Sequence, residues 1–477
     1  MNDLVTLAQY EDVSTMGFTT MREVEELNKA LTAGTANPVT SGGGALRVES
    51  LEASLKVLTH QAKHCALWQR VAKLPAYSTV EEYNQLTAYG DESGAFVPEG
   101  TLPETVDSTY NRQTSLVKFL GTTRSVSHPM TLVRTNIGDV MAQENANGIL
   151  WILKNLEWGM FNGDADMCYL GAATDATHRE GVEFNGLGKQ IDTTQIIDVK
   201  GQPLTEGHFS LAAQMVASSY GIPTDAFLSF SAHQAFCDTM LPKERLPVPS
   251  PTGGYTVGAN IPDVNTPFGK VALNPDVFLN AGRLAPAAAT STSAPTAPLS
   301  MACAALGATG GEWATHGGAG VYDYSVTAAN RFGESAAVAI TAALTVGADD
   351  LTKKSVFTIT NAAAVAVAPE YFNIYKTLPG GTVKHFVTRV RAASIANDGT
   401  TTWTEDGTII AGTSKAYVGE LSPQVVAVKQ LAPLMKMDIA TLAPAYRWMI
   451  LCYLTFILYA PKKWVQFTNV GGSPLAV

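Results

Sequence analysis

The sequence predicts an α+β fold into which an all-β domain is inserted. Residues 283–417 have the pattern of a self-contained β module, and residues 132–161 carry apolar side chains at three- and four-residue steps, which predicts a long helix. Strand patterns on both sides of the insertion, near 226–230 and 446–459, indicate one interrupted domain. We therefore expect the insertion to lie at the periphery, with its two ends close together.

Composition marks the insertion. Between Ala281 and Gly347 the only charged residues are Arg283, Glu312, Asp323, Arg331 and Glu334. Short alternating segments at 322–335, 356–360, 371–375, 384–390 and 401–404 are separated by turn residues, which predicts a β-sandwich. The tyrosine-rich pattern of 322–335, with Tyr375 and Trp403 downstream, resembles an immunoglobulin-like or fibronectin type III module. No cysteine pair suits the inter-sheet disulfide of antibody domains.

Bulk properties exclude several classes of protein. A net charge of −10 over 477 residues gives no overall cationic field that would attract nucleic acid or an anionic membrane. The five scattered cysteines form no C-x-x-C motif and fit reduced thiols. The N-terminus lacks the pattern of a secretion signal, and the most apolar segment, 448–460, is shorter than the roughly 18–20 residues of a bilayer span. We expect a protein made and kept inside a cell, without a membrane partner.

The first 76 residues are predicted to form an arm and a connecting helix. Residues 1–50 contain a short helix pattern at 21–31 and a glycine run at 42–44, and the absence of a following Gly-Lys-Ser/Thr argues against a phosphate loop. Apolar residues at helical spacing predict that 51–76 is a helix. His60 and His64 are four residues apart on it, a spacing that suits a metal, but no further ligand is near in sequence, which favours a core or solvated pair.

Residues 77–123 are predicted to be a long β-excursion with too few large apolar residues for a core of its own. From 77 to 117 its charge is net −6, because a single Arg112 accompanies seven acids: Glu81, Glu82, Asp91, Glu92, Glu99, Glu104 and Asp107. Two interpretations remain open, a solvated acidic hairpin and an intersubunit arm that binds a basic groove.

No catalytic constellation is present. The sequence lacks a Gly-x-Ser-x-Gly elbow, an H-E-x-x-H motif and a Walker loop. Asp164 and Asp166 are typical of turn residues after a helix, and Ser231 is predicted to be the N-cap of a helix at 233–240. The isolated histidines, His128, His178 and His233, and Cys237 have no partner in sequence. We expect no catalytic residue, no cofactor and no metal.

The order of the segments resembles the major capsid proteins of tailed double-stranded DNA bacteriophages with the Hong Kong 97-type fold, particularly the large contractile-tailed phages grouped with Twort. The similar segments are 45–55, 75–80, 183–187, 419–426 and the terminal Ala-Pro-Lys-Lys-Trp at 460–464. They span most of the chain outside the insertion. Each is short, and their order carries the resemblance.

The resemblance implies a domain plan. Residues 1–50 are the N-terminal arm, 51–76 the connecting helix, 77–123 the extended loop that lies over a neighbouring subunit, and 124–204 the peripheral domain with its spine helix. Residues 205–282 and 418–447 form the axial domain, 283–417 the immunoglobulin-like insertion, and 448–477 the C-terminal strand of the peripheral domain. Some relatives fasten the loop by a Lys–Asn isopeptide bond. Residues 77–117 contain no lysine, so we expect a shell held non-covalently.

The implied function is a structural one. Copies of the chain would form hexamers and pentamers of an icosahedral head around double-stranded DNA, in a virion assembled in the host cytoplasm. Portal, scaffold and decoration proteins are candidate partners. The expected intersubunit residues are Glu81, Glu82, Asp91, Glu92, Glu99, Arg112, Arg124, Arg134, Lys154 and Lys189; the expected DNA-facing residues are Arg47, Lys56, Lys63 and Arg70. The alternatives are an enzyme or an adhesin that carries the sandwich as a binding module.

Overall fold

The computed structural model describes residues 59–90, 95–103, 105–133, 138–167, 169–170, 180–240, 248–249, 255–256, 260–279, 283–393, 397–440 and 443–472. Two compact units divide the chain, one of residues 59–130 with 141–477 and one of residues 1–58 with 131–140. The predicted helix at 21–31 and most of the N-terminal arm lie outside the described residues.

The described helices in chain order are α1 (Ala66–Arg70), α2 (His128–Leu132), α3 (Val140–Asn162), α4 (Leu187–Gln190), α5 (Glu206–Ser218) and α6 (Phe230–Met240). The described strands are β1 (Ala72–Pro75), β2 (Val80–Ala88), β3 (Thr109–Leu116), β4 (Lys118–Ser127), β5 (Tyr169–Leu170), β6 (Glu180–Gly181), β7 (Ile196–Asp198), β8 (Asp225–Leu228), β9 (Val248–Pro249), β10 (Tyr255–Thr256), β11 (Asp263–Thr266), β12 (Gly269–Pro275), β13 (Ser300–Cys303), β14 (Ala308–Thr309), β15 (Gly320–Tyr322), β16 (Tyr324–Asn330), β17 (Gly333–Glu334), β18 (Val338–Ala339), β19 (Leu344–Val346), β20 (Lys353–Thr360), β21 (Tyr371–Lys376), β22 (His385–Arg391), β23 (Thr400–Glu405), β24 (Ser414–Gly419), β25 (Val426–Asp438), β26 (Ala445–Leu458) and β27 (Trp464–Val470).

A six-stranded sheet, in the order β11-β12-β8-β24-β27-β7, forms the centre of the host domain. Alternate side chains of each strand enter different cores, as the two-residue period of a strand requires. Ala226 and Leu228 pack with α5 and α6, whereas Phe227 between them packs with α3. The predicted strand at 226–230 is confirmed as β8, and α5 begins directly after its N-cap Thr205.

A four-stranded sheet, in the order β1-β25-β26-β4, lies against α3. Leu156, Met160 and Phe161 of α3 share one core with Leu454 and Phe456 of β26. A Cβ atom added to Gly148 of α3 would lie 2.5 Å from Ile450 Cδ1 of the sheet. The helix therefore packs closely along the sheet, and a larger residue at this position would displace the end of the Ile450 side chain.

The C-terminal strands divide between the sheets differently from the predicted plan. Residues 418–447 were expected to return to one domain and 448–477 to finish the other. Instead β24 and β27 pair with each other in the six-stranded sheet, and the long strands β25 and β26 pair with each other in the four-stranded sheet. The division depends on which strands pair with each other, and the partners can be far apart in sequence. The local periodicity of a strand does not show which partner it pairs with.

The insertion is a β-sandwich with its own core. One sheet contains β13, β20, β14 and β23, and the other contains β17, β16, β21, β22 and β18. Met301, Phe357 and Ile359 of the first sheet pack with Tyr324 and Phe372 of the second. The expected all-β sandwich is therefore present, and its immunoglobulin-like classification stays a proposal.

Both ends of the insertion join the same end of the six-stranded sheet. β12, which precedes the insertion, is parallel to β8, and β24, which follows it, is antiparallel to β8. The end of β12 and the start of β24 consequently flank the end of β8. The prediction that the two ends lie close together is confirmed.

Three local predictions were wrong. The helix expected over 51–76 is, in its described part, only the short α1, followed by β1, which pairs in parallel with β25. The helix expected from Leu132 begins at Val140, because Gly138 has a φ of +86°, which ends helical geometry. The N-cap of α6 is Ser229, whose Oγ accepts the Ala232 N–H at 3.2 Å, and Ser231 lies within the helix.

A buried pair of carboxyl groups holds α1 in place. Glu157 of α3 accepts the N–H groups of Leu67 and Trp68 at 2.6 and 2.9 Å, and Asp276 accepts the N–H of Ala66 at 3.3 Å. Burial, together with the hydrogen bond to Asp276, raises the pKa of Glu157 to about 9. The pair therefore retains a proton at neutral pH.

This pair makes stability depend on pH. In the unfolded chain Glu157 has an ordinary pKa near 4.5, so between about 4.5 and 9 the folded subunit binds more protons than the unfolded one. The free energy of unfolding should therefore fall as pH rises through this window. Urea unfolding of the unassembled subunit at a series of pH values measures it. Glu157→Gln should flatten the profile, whereas Glu144→Gln, at a half-exposed position of α3, should not; an unchanged slope in Glu157→Gln contradicts the assignment.

Candidate intersubunit surfaces

The hairpin formed by β2 and β3 is a two-stranded sheet that projects from the host domain. Its register runs from Val80 opposite Leu116 to Leu86 opposite Tyr110. An isolated two-stranded hairpin is marginally stable in water unless it packs on something else. Residues 80–116 of the β-excursion expected at 77–123 include this strand pair, whereas residues 118–123 belong to β4 of the four-stranded sheet, and the role of the hairpin as an extended loop over a neighbouring subunit stays a proposal.

Large apolar side chains of the hairpin are exposed. Phe96 is 100% exposed and Leu102 is 93% exposed, both beyond the strands near the tip. The other exposed members are Tyr77, Val80, Leu86, Tyr89, Val97, Val106, Tyr110 and Leu116. Monomeric soluble proteins rarely expose such contiguous apolar surface, and its presence marks an interaction site.

The base of the hairpin is attached to its own subunit. Gln85 Nε2 donates to the Tyr459 carbonyl at 2.6 Å, and the rings of Tyr83 and Tyr459 meet edge to face at 5.0 Å. Ser115 and Thr455 share a hydroxyl hydrogen bond of 2.8 Å. These contacts fix the direction of the hairpin and leave its distal half uncovered.

The expected acidic residues of the hairpin occupy different environments. Glu81 faces its own subunit, where it accepts the Tyr77 N–H at 3.0 Å and lies 3.8 Å from Lys429 Nζ. Glu82 pairs across the strands with Arg112 at 3.3 Å, and both side chains are more than half exposed. Glu99 is exposed near the tip. Asp91 and Glu92 lie outside the described residues.

The basic residues expected to receive these acids are partly paired within the subunit. Arg124 lies 3.6 Å from Glu144, and Lys189 lies 2.9 Å from Asp164. Lys154 is exposed on α3, and Arg134 lies outside the described residues. Lys154 is thus the candidate basic partner that keeps an exposed position without an ion pair in the described part of the chain.

Of the expected DNA-facing residues, one is paired within its own subunit, one is exposed and two lie outside the described residues. Arg70 Nη1 donates to Asp225 Oδ1 at 2.9 Å, so much of its charge is compensated within the subunit. Lys63 is exposed. Arg47 and Lys56 lie outside the described residues.

The remaining sequence candidates have structural roles. The His60 ring nitrogen bonds the Leu150 carbonyl at 2.9 Å, and His64 Nδ1 accepts the Gln61 N–H at 2.9 Å. Cys237 Sγ lies 3.8 Å from His233 Nε2 within α6. Across the described ranges, no group of three or more His, Cys, Asp or Glu side chains is arranged to hold a metal ion. Nor does any helix of these ranges have the length and apolar character to cross a membrane. His178 falls outside them.

Polar contacts fasten the insertion to the host domain. Arg389 of β22 forms a bidentate pair with Glu183 at 3.1 and 3.2 Å and donates to the Asn162 carbonyl at 2.8 Å. His316 Nε2 hydrogen-bonds the carboxylate of Asp198. Burial alone would raise the pKa of Asp198, but hydrogen bonds from Asn469, Lys200 and His316 lower it. These bonds hold the sandwich in one position.

Sequence reasoning missed the concave surface beside these contacts. Two neighbouring cavities of about 140 and 440 Å³ share Trp158, Asn162, Phe386, Val387 and Lys415 in their walls. These residues come from α3, β22 and β24, which are distant in sequence. Low charge density and regularly spaced turns indicated the insertion, but no local signal indicated its contact with α3.

The fold and the exposed hairpin define a subunit that completes its structure by association, as in a capsid shell. A family model described as "SU10 major capsid protein" matches residues 20–290, which is more than half of the chain. The chain belongs to the SU10 major capsid protein family. It is therefore a bacteriophage major capsid protein, and the helices and strands of the described residues agree with the predicted α+β class.

Relatives agree over nearly the whole length. The major capsid protein of Staphylococcus phage K is 26% identical over 428 residues, covering 90% of this chain and 90% of the relative. A putative major capsid protein of Enterococcus phage phiEF24C is 28% identical over 451 residues, covering 94% and 95%. The expected resemblance to Twort-like phages is confirmed, and the enzyme and adhesin alternatives are not favoured.

Among the solved structures to which the chain is similar are two capsids. The native GTA particle capsid has a TM-score of 0.45 at 8% identity, covering 92% of this chain and 100% of that chain. The capsid of cyanophage P-SCSP1u has a TM-score of 0.44 at 8% identity, covering 96% and 99%.

Proposed function

We propose that copies of this chain assemble without covalent cross-links into the hexamers and pentamers of an icosahedral phage head, each hairpin lying over a neighbouring copy. The observation that carries this proposal is the projecting hairpin with its uncovered apolar side chains. Burying such surface contributes about 25 cal/mol per Å² of apolar area. A shell repeats this contact at every subunit, so individually modest contacts add up over the particle.

The finer parts of the proposal follow from the same arrangement. The four-stranded sheet with α3 would be the peripheral domain, and the six-stranded sheet with α5 and α6 the axial domain. The chain would act as a structural protein and not as an enzyme. Assembly would take place in the host cytoplasm, with portal, scaffold and decoration proteins as further partners.

Contact with packaged DNA would be weak. The chain has a net charge of −10, and Arg70 is paired with Asp225, so Lys63 is the described candidate with an uncompensated charge. Phosphate contacts by lysine and arginine supply sequence-independent affinity that falls with salt. A surface with few such cations should release DNA readily.

Expression of the full chain, followed by sedimentation and negative-stain microscopy, tests the proposal. We expect microscopy to show shells, tubes or capsomers built from copies of this chain. On denaturing gels these particles should give a single band at the mass of one chain, 50.5 kDa. Higher-mass bands that persist in reducing denaturant would contradict the non-covalent shell. Material that stays monomeric at high concentration would contradict assembly.

A further inference from the structure

The larger cavity is shaped to take an apolar side chain. Its walls include Trp158 of α3, Val277 and Leu279, Phe386 of β22 and Ile409. Its volume of about 440 Å³ lies within the roughly 300–1,000 Å³ of binding pockets in proteins. Polar side chains, among them Asn162, Thr413 and Lys415, also line it, so the cavity is a recess of mixed apolar and polar character between the host domain and the insertion.

A bulge in β22 builds one wall of the recess. Phe386 pairs with Tyr375 and Thr388 pairs with Ile374, so Val387 is the extra residue on its strand. Successive side chains of a regular strand point to opposite faces, whereas a bulge redirects a side chain. Phe386 and Val387, although adjacent, both line the cavity.

One cation of the cavity lacks a counter-charge. Lys189 is paired with Asp164 at 2.9 Å, and Arg389 is paired with Glu183. In the described chain no carboxylate lies within ion-pair distance of Lys415, which is exposed in both cavities. The protein walls of the recess partly desolvate the Lys415 ammonium and, with the charges of Lys189 and Arg389 nearby, lower its pKa. An anion brought to this position would be stabilised.

The hairpin tip has the complementary chemistry. Phe96 is fully exposed, and Glu99, three residues further along, is also exposed. Three residues span at most about 10 Å, so an aromatic ring and a carboxylate can enter one cavity together. Because no described residue of its own subunit covers Phe96, its apolar surface is available to another copy.

We propose that the hairpin tip of a second copy docks in this cavity, with the Phe96 ring against Trp158 and Phe386 and the Glu99 carboxylate beside the Lys415 ammonium. This inference rests on the proposed assembly and specifies the receiving surface. The insertion then serves as half of an intersubunit socket. Fully desolvated aromatic anchors in pockets carry most of the affinity of such interfaces.

Cross-linking in assembled particles tests the contact. The pair Phe96→Cys with Val387→Cys should form disulfides between copies under mild oxidation, giving a ladder on non-reducing gels. Each single variant shows any disulfide to a native thiol, since Cys65, Cys237 and Cys452 are buried but Cys303 is only partly buried, and it should give no ladder. The control pair Phe96→Cys with Phe332→Cys places the second thiol on the same insertion, at an exposed residue outside the cavity walls. The docking is overturned if particles of the Phe96→Cys and Val387→Cys variant show no ladder, or if both cysteine pairs give equal ladders. Neither outcome contradicts the proposed assembly, because the particles still form.

An exchange of the charges at Lys415 and Glu99 tests the docking independently of the cross-linking. It remains informative if the cysteine variants fail to assemble. Lys415→Glu should lower particle yield about tenfold or more, because it sets two carboxylates together. Adding Glu99→Lys should restore the yield. Failure of this rescue, with wild-type particles forming normally, overturns the docking. If wild-type subunits form no particles, the proposed function itself is contradicted, and this result is distinct from a failure of the docking.

Discussion

Replacing Phe96 and Leu102 together with serine is expected to abolish particle formation and leave the subunit folded. Both side chains are almost fully exposed, so neither contributes to the core. In a shell they would be buried at every subunit contact, and each large apolar side chain is worth about 1.5–3 kcal/mol on burial. The double change therefore removes about 3–6 kcal/mol of association free energy at each contact. A weak contact between subunits does not persist after a loss of this size.

Sedimentation and negative-stain microscopy measure particle yield, and circular dichroism and thermal unfolding measure the fold. The matched control is Leu299→Ser with Phe332→Ser, two exposed apolar residues of the insertion, 58% and 56% exposed. That variant should assemble normally. A normal particle yield from the hairpin variant would show that the tip is dispensable for the shell.

Replacing Lys376 with methionine is expected to destabilise the insertion by about 3–5 kcal/mol, the usual cost of breaking a buried ion pair. Lys376 Nζ lies 3.0 Å from Glu405 Oε1 and 3.1 Å from the Ile409 carbonyl, and both side chains are at most 2% exposed. The ammonium also lies over the Trp313 ring at 4.4 Å. Without it, Glu405 is left in the core, where burial already raises its pKa, and it must take up a proton.

Thermal unfolding and limited proteolysis of the full chain measure this loss. Lys353→Met is the control, because it breaks a solvent-exposed pair with Asp350 on the same sandwich and should change the stability little. Lys376→Met combined with Glu405→Leu should recover much of the stability, since an apolar pair of similar size removes both buried charges. Equal losses in the Lys376 and Lys353 variants would contradict the buried-pair account.

Features with a local signature were predictable from the sequence. Low charge and regularly spaced turns marked the insertion, and apolar residues at three- and four-residue steps marked α3. The hairpin was visible as two alternating runs around a tip rich in glycine and proline. In each case the residues that decide the structure are neighbours in the chain.

Features decided by distant residues were not predictable. Residues 72–75 have a helical apolar pattern but form β1, because they pair with Ala427–Gln430 of β25 across more than 350 residues. Glu81 looked like a free acid of the hairpin, yet it faces Lys429 of its own subunit. The socket around Lys415 combines α3, β22 and β24, and its missing counter-charge appears only when these elements meet.

The position of the insertion has a practical consequence. Its two junctions follow β12 and precede β24, which are separated by the single strand β8. Neighbouring strands lie about 4.8 Å apart, so the junctions are roughly 10 Å from each other. A foreign domain whose termini are that close could replace the sandwich without stretching the host sheet. The chain thus offers a graft point for displaying antigens or enzymes at high copy number, provided that the host sheet closes around the exchange.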